Sequence, residues 1–270
     1  MHPYAPIRTE PMVVDGKPSG YRMVQIETEH RNTETDMPFT TWDDVSKPVS
    51  NNYLLVENSD VRNIVEDLTS KTTWSWDSEP KTFFDGKRFM ITRTTEEIQS
   101  DVDVGDAVSL GIGAWNSYDG SKAFSLFMFI NRLICTNGMM SKDMFNTFRF
   151  KHTLKNVEWK DEAEKAFRYI QNGPEKLKEW TNTAKNLLNP IDMSSLEDIR
   201  KNHINDLPVT TYGKIMDKFW NNEEKTGWGF LNAGADILWH NETPTVSMYE
   251  QNALFTDAML GYSSSQLGSA

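Results

Sequence analysis

The sequence predicts an α+β fold, in which an antiparallel sheet of hairpins at about residues 50–135 is packed by helices and followed by a helical C-terminal half. Apolar and polar residues alternate with a period of two in several short segments before residue 135, as they do in half-buried strands. Turn residues join these segments by short links, which favours antiparallel pairing. From about residue 157 the apolar spacing changes to that of helices.

The first segment, residues 1–48, predicts an extended N-terminal arm with one short alternating strand at residues 21–26. Prolines interrupt any longer element in this arm: Pro3, Pro6, Pro11, Pro18, Pro38 and Pro48. An arm of this kind serves as an irregular packed leader or as a segment that contacts a partner. Residues 49–262 are expected to form a single α+β domain, and residues 263–270 a flexible tail.

The sheet region begins with a strand and a helix that continues through Leu68, with N-cap oxygens offered by residues 58–60. Asp85-Gly86 and Asp119-Gly120 predict hairpin turns, because Asp and Gly tolerate the positive φ that such turns require. After Thr136-Asn137-Gly138 a helix is expected to begin at Met139. The strands of this region are predicted at residues 53–56, 72–76, 81–84, 88–92, 107–115 and 123–130.

The C-terminal half predicts five helices and contains no internal repeat. The pair Ser194 and Glu197 forms a capping box for the third of them. Gly173-Pro174 separates the first two helices, and Asn189-Pro190 ends the second. The five helices span residues 159–172, 175–188, 194–203, 209–222 and 229–240.

The composition is that of a globular protein with a large aromatic core: 25% of the residues are charged, and there are 9 Trp, 14 Phe and 8 Tyr. The net charge of −11 repels polyanions at long range, but screening over about 8–10 Å leaves room for a local basic groove. The lone cysteine, Cys135, suits a reducing compartment. The sequence shows no signal peptide. It also contains no apolar stretch of the ~20 residues that a membrane span needs. We therefore expect a soluble, cytoplasmic protein without membrane contact.

No established catalytic, metal or cofactor motif is found, so we predict no catalytic residue, no metal and no cofactor. Gly111-Ile112-Gly113 lacks the third glycine and the following helix of a dinucleotide site. The five histidines occur singly and lack the spacing of metal ligands. An acidic group beside Gly105 lacks the full calcium-loop pattern and predicts a solvated turn: Asp101, Asp103 and Asp106.

Two further features each have a structural and a functional interpretation. Cys135 follows Leu133 and Ile134, which predicts a buried, unreactive thiol; a catalytic thiol would need a partner base nearby. Asp236 precedes His240 by four residues, which indicates a surface helix pair or a carboxylate that orients an imidazole.

A basic and aromatic stretch is the most suggestive constellation. Its cations are Arg149, Lys151, Lys155 and Lys160, and its aromatic residues are Phe148, Phe150 and Trp159. Cations that pair with phosphates beside rings that stack on bases are typical of single-stranded nucleic-acid binding. Further cations on the hairpins could line the same face: Lys87, Arg88, Arg93 and Arg132. An ordinary amphipathic junction is the alternative, since so short a basic run is common.

Three runs together resemble a known family: Val104-Gly105-Asp106-Ala107, residues 116–121 and residues 132–139. The sequence is similar to the phage/plasmid-like proteins, a domain-of-unknown-function family of bacteriophages and mobile elements. The resemblance covers about residues 50–245, and Cys135-Thr136-Asn137-Gly138 is its most specific part. Other segments that fit the pattern are residues 53–58, residues 85–88, Phe219-Trp220 and residues 232–240.

The resemblance implies a phage or mobile-element origin, and hence the host cytoplasm during infection, but it supplies no catalytic residues. The layout of hairpins that lead into a helix is similar to that of single-strand-annealing proteins, which hold DNA in a groove and form rings. We therefore expect a non-enzymatic protein of phage DNA metabolism that binds single-stranded DNA and anneals strands, and that forms a homo-oligomer. The alternatives are an interaction protein that modulates a host factor and an enzyme built around Cys135.

Overall fold

A computed structural model describes residues 2, 4–77, 81–84, 87–135, 137–141, 148–150, 152, 156–240 and 246–267. These residues form two antiparallel sheets and seven α-helices. The predicted α+β fold, with its sheet of hairpins and its helical C-terminal half, is thereby confirmed.

The N-terminal region forms a sheet of its own, with the strand order β1-β2-β3 and with β4 also paired to β2. The expectation of one short strand in an otherwise extended arm is therefore wrong. The prolines were read as breaks, but two of them lie at strand positions where proline is tolerated. Pro11 lies at an irregularity in the outer strand β1, and Pro38 is the first residue of the outer strand β3. The strands are β1 (Ile7–Val14), β2 (Lys17–Arg31), β3 (Pro38–Asp44) and β4 (Val49–Ser50).

The main sheet has the order β10-β8-β7-β6-β5, and β9 also pairs with β8. Its strands are β5 (Lys81–Phe84), β6 (Arg88–Asp103), β7 (Asp106–Ser117), β8 (Phe124–Arg132), β9 (Asn137–Met139) and β10 (Phe148–Phe150). The predicted strands at residues 81–84, 88–92, 107–115 and 123–130 are confirmed. Gly120 has a φ of +73°, as the predicted turn requires. The pair Asp85-Gly86 lies outside the described residues.

Three local predictions in this region are wrong. Residues 53–56 form no strand, because side chains satisfy the backbone there: Asn116 Nδ2 donates to the carbonyl oxygen of Val56 at 2.9 Å. Residues 72–76 form no strand either, and Trp76 Nε1 donates to Thr72 Oγ1 at 2.8 Å. Met139 ends β9, opposite Ile130 of β8, instead of beginning a helix.

The helices agree with the prediction except at their ends and at the C-terminus. Asp192, not Ser194, caps α4, since its side chain accepts from the backbone N–H of Ser195. The last helix was not predicted, and it extends into the expected flexible tail as far as Leu267; residues 268–270 lie outside the description. The helices are α1 (Asn58–Ser70), α2 (Asn156–Gln171), α3 (Gly173–Ala184), α4 (Met193–Asn202), α5 (Val209–Asn221), α6 (Gly227–Trp239) and α7 (Val246–Leu267), with a 3-10 helix at Lys185–Leu188.

The two faces of the main sheet pack against different partners. One face contacts α1 and α3 and forms the main core, with Leu110, Ile112 and Leu126 pointing into it. The side chains that alternate to the opposite face form a second cluster together with residues from α6 and α7, which we call the aromatic face. Its members are Met90, Trp115, Phe127, Phe129, Met140, Trp239 and Tyr249.

Two glycines of β7 make room for the rings of the aromatic face. A Cβ at Gly111 would lie 2.3 Å from Cζ of Phe129, and one at Gly113 would lie 2.3 Å from Cζ of Phe127. Gly111-Ile112-Gly113 thus serves packing, because only glycine lets the two phenyl rings cross β7 this closely.

The variant Gly111→Val should destabilise the protein by about 1–3 kcal/mol, as overpacking does in tight cores. Phe129 is 1% exposed and its ring centroid lies 5.0 Å from that of Trp239, so the ring has little room to move aside. Thermal unfolding would show this loss. The control is Gly213→Ala on α5, where an added Cβ meets nothing within 4 Å, and where we expect a gain of about 0.5–1 kcal/mol. Equal melting temperatures for Gly111→Val and the unmutated protein would contradict this assignment.

A search of the described helices finds none with both the length and the apolar character needed to cross a membrane.

Candidate functional site

A pocket with a cavity volume of about 310 Å³ opens where the aromatic face meets the first turns of α7. We call it the edge pocket, because β10 at the edge of the main sheet forms one of its sides. Its size is at the lower end of the range found for small-molecule sites. The edge pocket is lined by Trp115, Ser121, Lys122, Ala123, Ser125, Phe127, Met128, Met140, Ser141, Arg149, Tyr249, Glu250 and Ala253.

Strand register places a cation and an indole ring in one row across the pocket. Arg149 of β10 is paired with Ser125 of β8, and Ser125 is paired with Trp115 of β7. Adjacent strands lie about 4.8 Å apart, so the backbones of Arg149 and Trp115 are separated by about 10 Å. Arg149 is exposed and Trp115 is half-buried. The row therefore combines a solvent-accessible guanidinium with part of an aromatic surface.

Trp115 is held by other rings of the aromatic face. Its centroid lies 5.0 Å from that of Tyr249 in an edge-to-face arrangement and 6.3 Å from that of Phe127 in a stacked one. Such pairs stabilise ring positions beyond simple area burial. The indole is thus fixed in place before any ligand binds.

Lys122 is the second cation of the pocket, and the β7–β8 turn fixes its backbone. Ser117 Oγ accepts from the backbone N–H of Lys122 and donates to its carbonyl oxygen, both at 2.9 Å. Asp119 also orders this turn by accepting from the backbone N–H of Ser121 at 2.9 Å. Partial burial opposes ionisation of Asp119, but hydrogen bonds from Ser121 and Arg88 keep its pKa below the ordinary value. The Lys122 ammonium forms an ion pair with Glu250 of α7.

The structure divides the predicted nucleic-acid-binding cations between different locations. Arg149 lines the edge pocket, as described above. Arg88 lies opposite Ser117, on the same side of the sheet as Met90, and its Nε donates to Asp119 Oδ2 at 3.2 Å. Lys87 is exposed next to it. Lys151 and Lys155 lie outside the described residues, and only the backbone of Lys160 is described, on α2.

Arg93 and Arg132 do not lie on the face that carries Arg149. Alternation along β6 and β8 turns both toward the face of the sheet that packs against α1 and α3. Both side chains are only 15% exposed. Arg93 pairs with Asp77 at 3.5 Å, and Arg132 Nε donates to Asp106 Oδ1 at 2.7 Å. The expectation that these two arginines line the same face as Arg149 is therefore wrong, and both make structural ion pairs.

The predicted aromatic partners of the basic stretch face the core. Strand alternation in β10 turns Phe148 and Phe150 away from the side that carries Arg149. Phe150 is 1% exposed and its ring stacks on that of Phe124 at 4.6 Å, while the Phe148 ring contacts that of Tyr169. The side chain of Trp159 is not among those described. Trp115, not these phenyl rings, is thus the ring available to a base beside Arg149.

The acidic turn and the cysteine also differ from expectation. Asp101 and Asp103 are exposed as predicted, but Asp106 is buried and accepts from Arg132 and from Trp228 Nε1, the latter at 2.7 Å. Cys135 is half-buried instead of buried, and Arg132 Nη1 lies 3.7 Å from its Sγ. The hydrogen bonds of Asp106 therefore connect the β6–β7 hairpin to β8 and to α6.

His240 and Asp236 do not form the predicted pair. His240 Nε2 lies 3.2 Å from the carbonyl oxygen of Cys135, so the imidazole contacts the backbone of this residue. Asp236 forms an ion pair with Lys218 of α5. Among the described residues, no group of three or more His, Cys, Asp or Glu side chains is arranged to hold a metal ion.

Sequence reasoning identified only Arg149 among the residues that line the edge pocket, and it missed the others that the argument uses: Trp115, Lys122, Tyr249 and Glu250. Trp115 carried a usable signal, because it directly precedes a predicted turn at the end of an alternating strand. The contact between Lys122 and Glu250 joins residues 128 positions apart, and no local pattern reports such a contact.

Two of the segments that carried the family resemblance, residues 132–139 and 232–240, contact each other. Asn137 Nδ2 donates to the carbonyl oxygen of Asn232 at 3.4 Å, and a Cβ at Gly138 would lie 2.4 Å from the ring of Trp239. This part of the pattern therefore describes the packing of β9 against α6.

Comparison with known proteins identifies a family but no reaction. The family model described as "Domain of unknown function (DUF932)" matches residues 46–259. No curated protein and no solved structure matches the chain. The matched part includes the main sheet, the edge pocket and most of α7, and it leaves β1, β2 and β3 outside. Since the match covers well over half of the 270 residues, the chain belongs to this family of proteins with a domain of unknown function.

Proposed function

We propose that this chain is a non-enzymatic protein of bacteriophage or mobile-element DNA metabolism that binds single-stranded DNA and promotes strand annealing. The observation that carries the proposal is the edge pocket, where Arg149, Lys122 and the ring of Trp115 line one cavity. Single-strand binders combine cations that follow the phosphates with rings on which bases stack. The phage origin comes from the sequence resemblance alone and stays a prediction.

The size and charge of the site favour one nucleotide unit of a longer strand. A cavity of about 310 Å³ accommodates one nucleotide but not several. The net charge of the whole chain, −11, repels a polyanion at long range. Because screening shortens that repulsion to about 8–10 Å at physiological salt, a strand held at the pocket tolerates acidic residues elsewhere.

Arg88 extends the proposed path. Arg88 lies two residues along β6 from Met90, which is the cross-strand neighbour of Trp115. It is therefore diagonal to Trp115 on the same side of the sheet. A strand that leaves the pocket over Trp115 would pass the Arg88 side chain next.

A salt series tests the proposal directly. A fluorescein-labelled oligothymidine should bind the protein with an affinity that falls as salt rises. Arg149→Ala should weaken binding and flatten the log–log salt slope by roughly 0.7, the value for one phosphate contact on a single strand. Fluorescence anisotropy at several salt concentrations measures both quantities.

The matched control is Lys17→Ala, which removes the same charge from an exposed position in β2 of the N-terminal sheet. It should leave affinity and slope nearly unchanged. Equal effects of both variants would show that net charge, not the pocket, governs binding. If the unmutated protein binds no oligothymidine even at low salt, the nucleic-acid proposal fails.

A second candidate function is an interaction protein that modulates a host factor, and the N-terminal sheet favours it. This sheet lies almost wholly outside the family match. Val13 of β1 is 59% exposed, Phe39 of β3 is 48% exposed, and Met37 in the turn between β2 and β3 is 65% exposed. Exposed apolar side chains of this size occur at protein contact sites. Failure of single-strand binding would move this candidate to first place.

A further inference from the structure

We propose that Glu250 and Lys122 form an ionic latch across the edge pocket, which a phosphate of the bound strand must open. This inference rests on the proposed single-strand binding and names the regulation of that same site. The two side chains are paired in the structure, and both line the pocket together with Arg149. One of the two cations of the pocket is thus occupied by a carboxylate of the protein itself.

The backbones on both sides of the latch are anchored. Lys122 is held by its two hydrogen bonds with Ser117. On α7, two residues after Glu250, Asn252 accepts from the backbone N–H of Met140 at 2.8 Å and donates to the carbonyl oxygen of Gly138 at 2.9 Å. Opening of the latch therefore requires only rotation of the two side chains, with no movement of α7 or of the β7–β8 turn.

The exposure of the pair makes the latch easy to open. The side chain of Lys122 is 27% exposed and that of Glu250 is 53% exposed. Ion pairs this exposed contribute little to stability, so exchange of the carboxylate for a phosphate should cost no more than about fivefold in affinity. A phosphate competes with Glu250 for the ammonium group because it belongs to a strand that Arg149 and Trp115 already hold, which raises its effective concentration at Lys122.

Removal of the Glu250 carboxylate should therefore strengthen the binding of single-stranded DNA. The effect should depend on the presence of Lys122. Glu250→Gln keeps the size of the side chain and removes its charge. We expect it to tighten oligothymidine binding about two- to fivefold in the unmutated background. In a Lys122→Gln background the same replacement should leave the affinity unchanged, because no ammonium remains to be released.

The experiment is a double-mutant cycle on the full chain, with anisotropy as the readout and thermal melting as the check on folding. Glu97→Gln, at an exposed position of β6 outside the pocket, is the control for net charge and should change the affinity little. Coupling between Glu250 and Lys122, with no coupling for Glu97, supports the latch.

Two results overturn the latch while the proposed function stands. One is equal tightening by Glu250→Gln with and without Lys122, which would assign Glu250 a general charge effect. The other is no change in either background, although the unmutated protein binds. If neither the unmutated protein nor Glu250→Gln binds at low salt, the proposed function falls and the latch falls with it.

Discussion

Replacing Asp106 by Ala should lower the free energy of unfolding by about 3 kcal/mol, the lower end of the range for breaking a buried ion pair. Arg132 Nε and Trp228 Nε1 both donate to the Asp106 carboxylate at 2.7 Å. The Arg132 side chain is 15% exposed and Trp228 is 1% exposed, so the variant leaves a guanidinium and an indole N–H without their acceptor. The melting temperature should fall by about 6–12 °C.

The comparison variant is Asp67→Ala, which breaks an ion pair at the surface. Asp67 and Lys71 lie one turn apart at the end of α1, and their side chains are 59% and 53% exposed. A loss below about 1 kcal/mol is expected there, because solvent screens both charges. Denaturant titration of both variants measures the difference. Similar losses at the two sites would show that the Asp106 network contributes no more than a surface pair.

Trp115→Ala should weaken the binding of oligothymidine by about 5- to 150-fold. The range follows from a stacking contribution of about 1–3 kcal/mol per base. Trp115 is the ring in the row with Arg149, whereas Phe148 and Phe150 pack toward the core. Anisotropy titration at low salt gives the ratio of dissociation constants.

Two variants separate stacking from damage to the fold. Trp115→Phe keeps a ring against Tyr249 and should retain most of the affinity. Trp220→Ala removes an indole that is 44% exposed at the end of α5, outside the pocket, and should bind like the unmutated protein. A Trp115→Ala protein that melts normally and binds with unchanged affinity would exclude stacking at this position.

The hairpins of the main sheet and the helices from α2 to α6 were predictable because their signals are local. Alternation in β7 and β8, and the Asp119-Gly120 turn between them, lie within a few residues of one another in the sequence. Helical spacing and the breaks at Gly173-Pro174 and Asn189-Pro190 are local in the same way. The cap at Asp192 was missed because two candidate caps lie two residues apart.

The helix α7 and the N-terminal strands were not predictable from local pattern. The buried face of α7 mixes polar with apolar side chains, because Asn252, Thr256 and Ser263 lie on it together with Tyr249 and Phe255, so no continuous apolar stripe marks the helix in the sequence. The N-terminal strands pair across the chain, as Arg8 does with Gln25 and Gln25 with Asp44, and their charged outer residues conceal the alternation.

For the candidate site, the sequence by itself determined that Arg149 belongs to a cationic and aromatic stretch, and that a turn lies at residues 116–121. Only the tertiary structure decided which groups share a pocket. It turned Phe148, Phe150, Arg93 and Arg132 toward the face that packs against α1 and α3, because alternate side chains of a strand point to opposite faces and strand pairing sets those faces. It also joined Lys122 to Glu250, since a contact between segments 128 residues apart depends on packing of the whole domain.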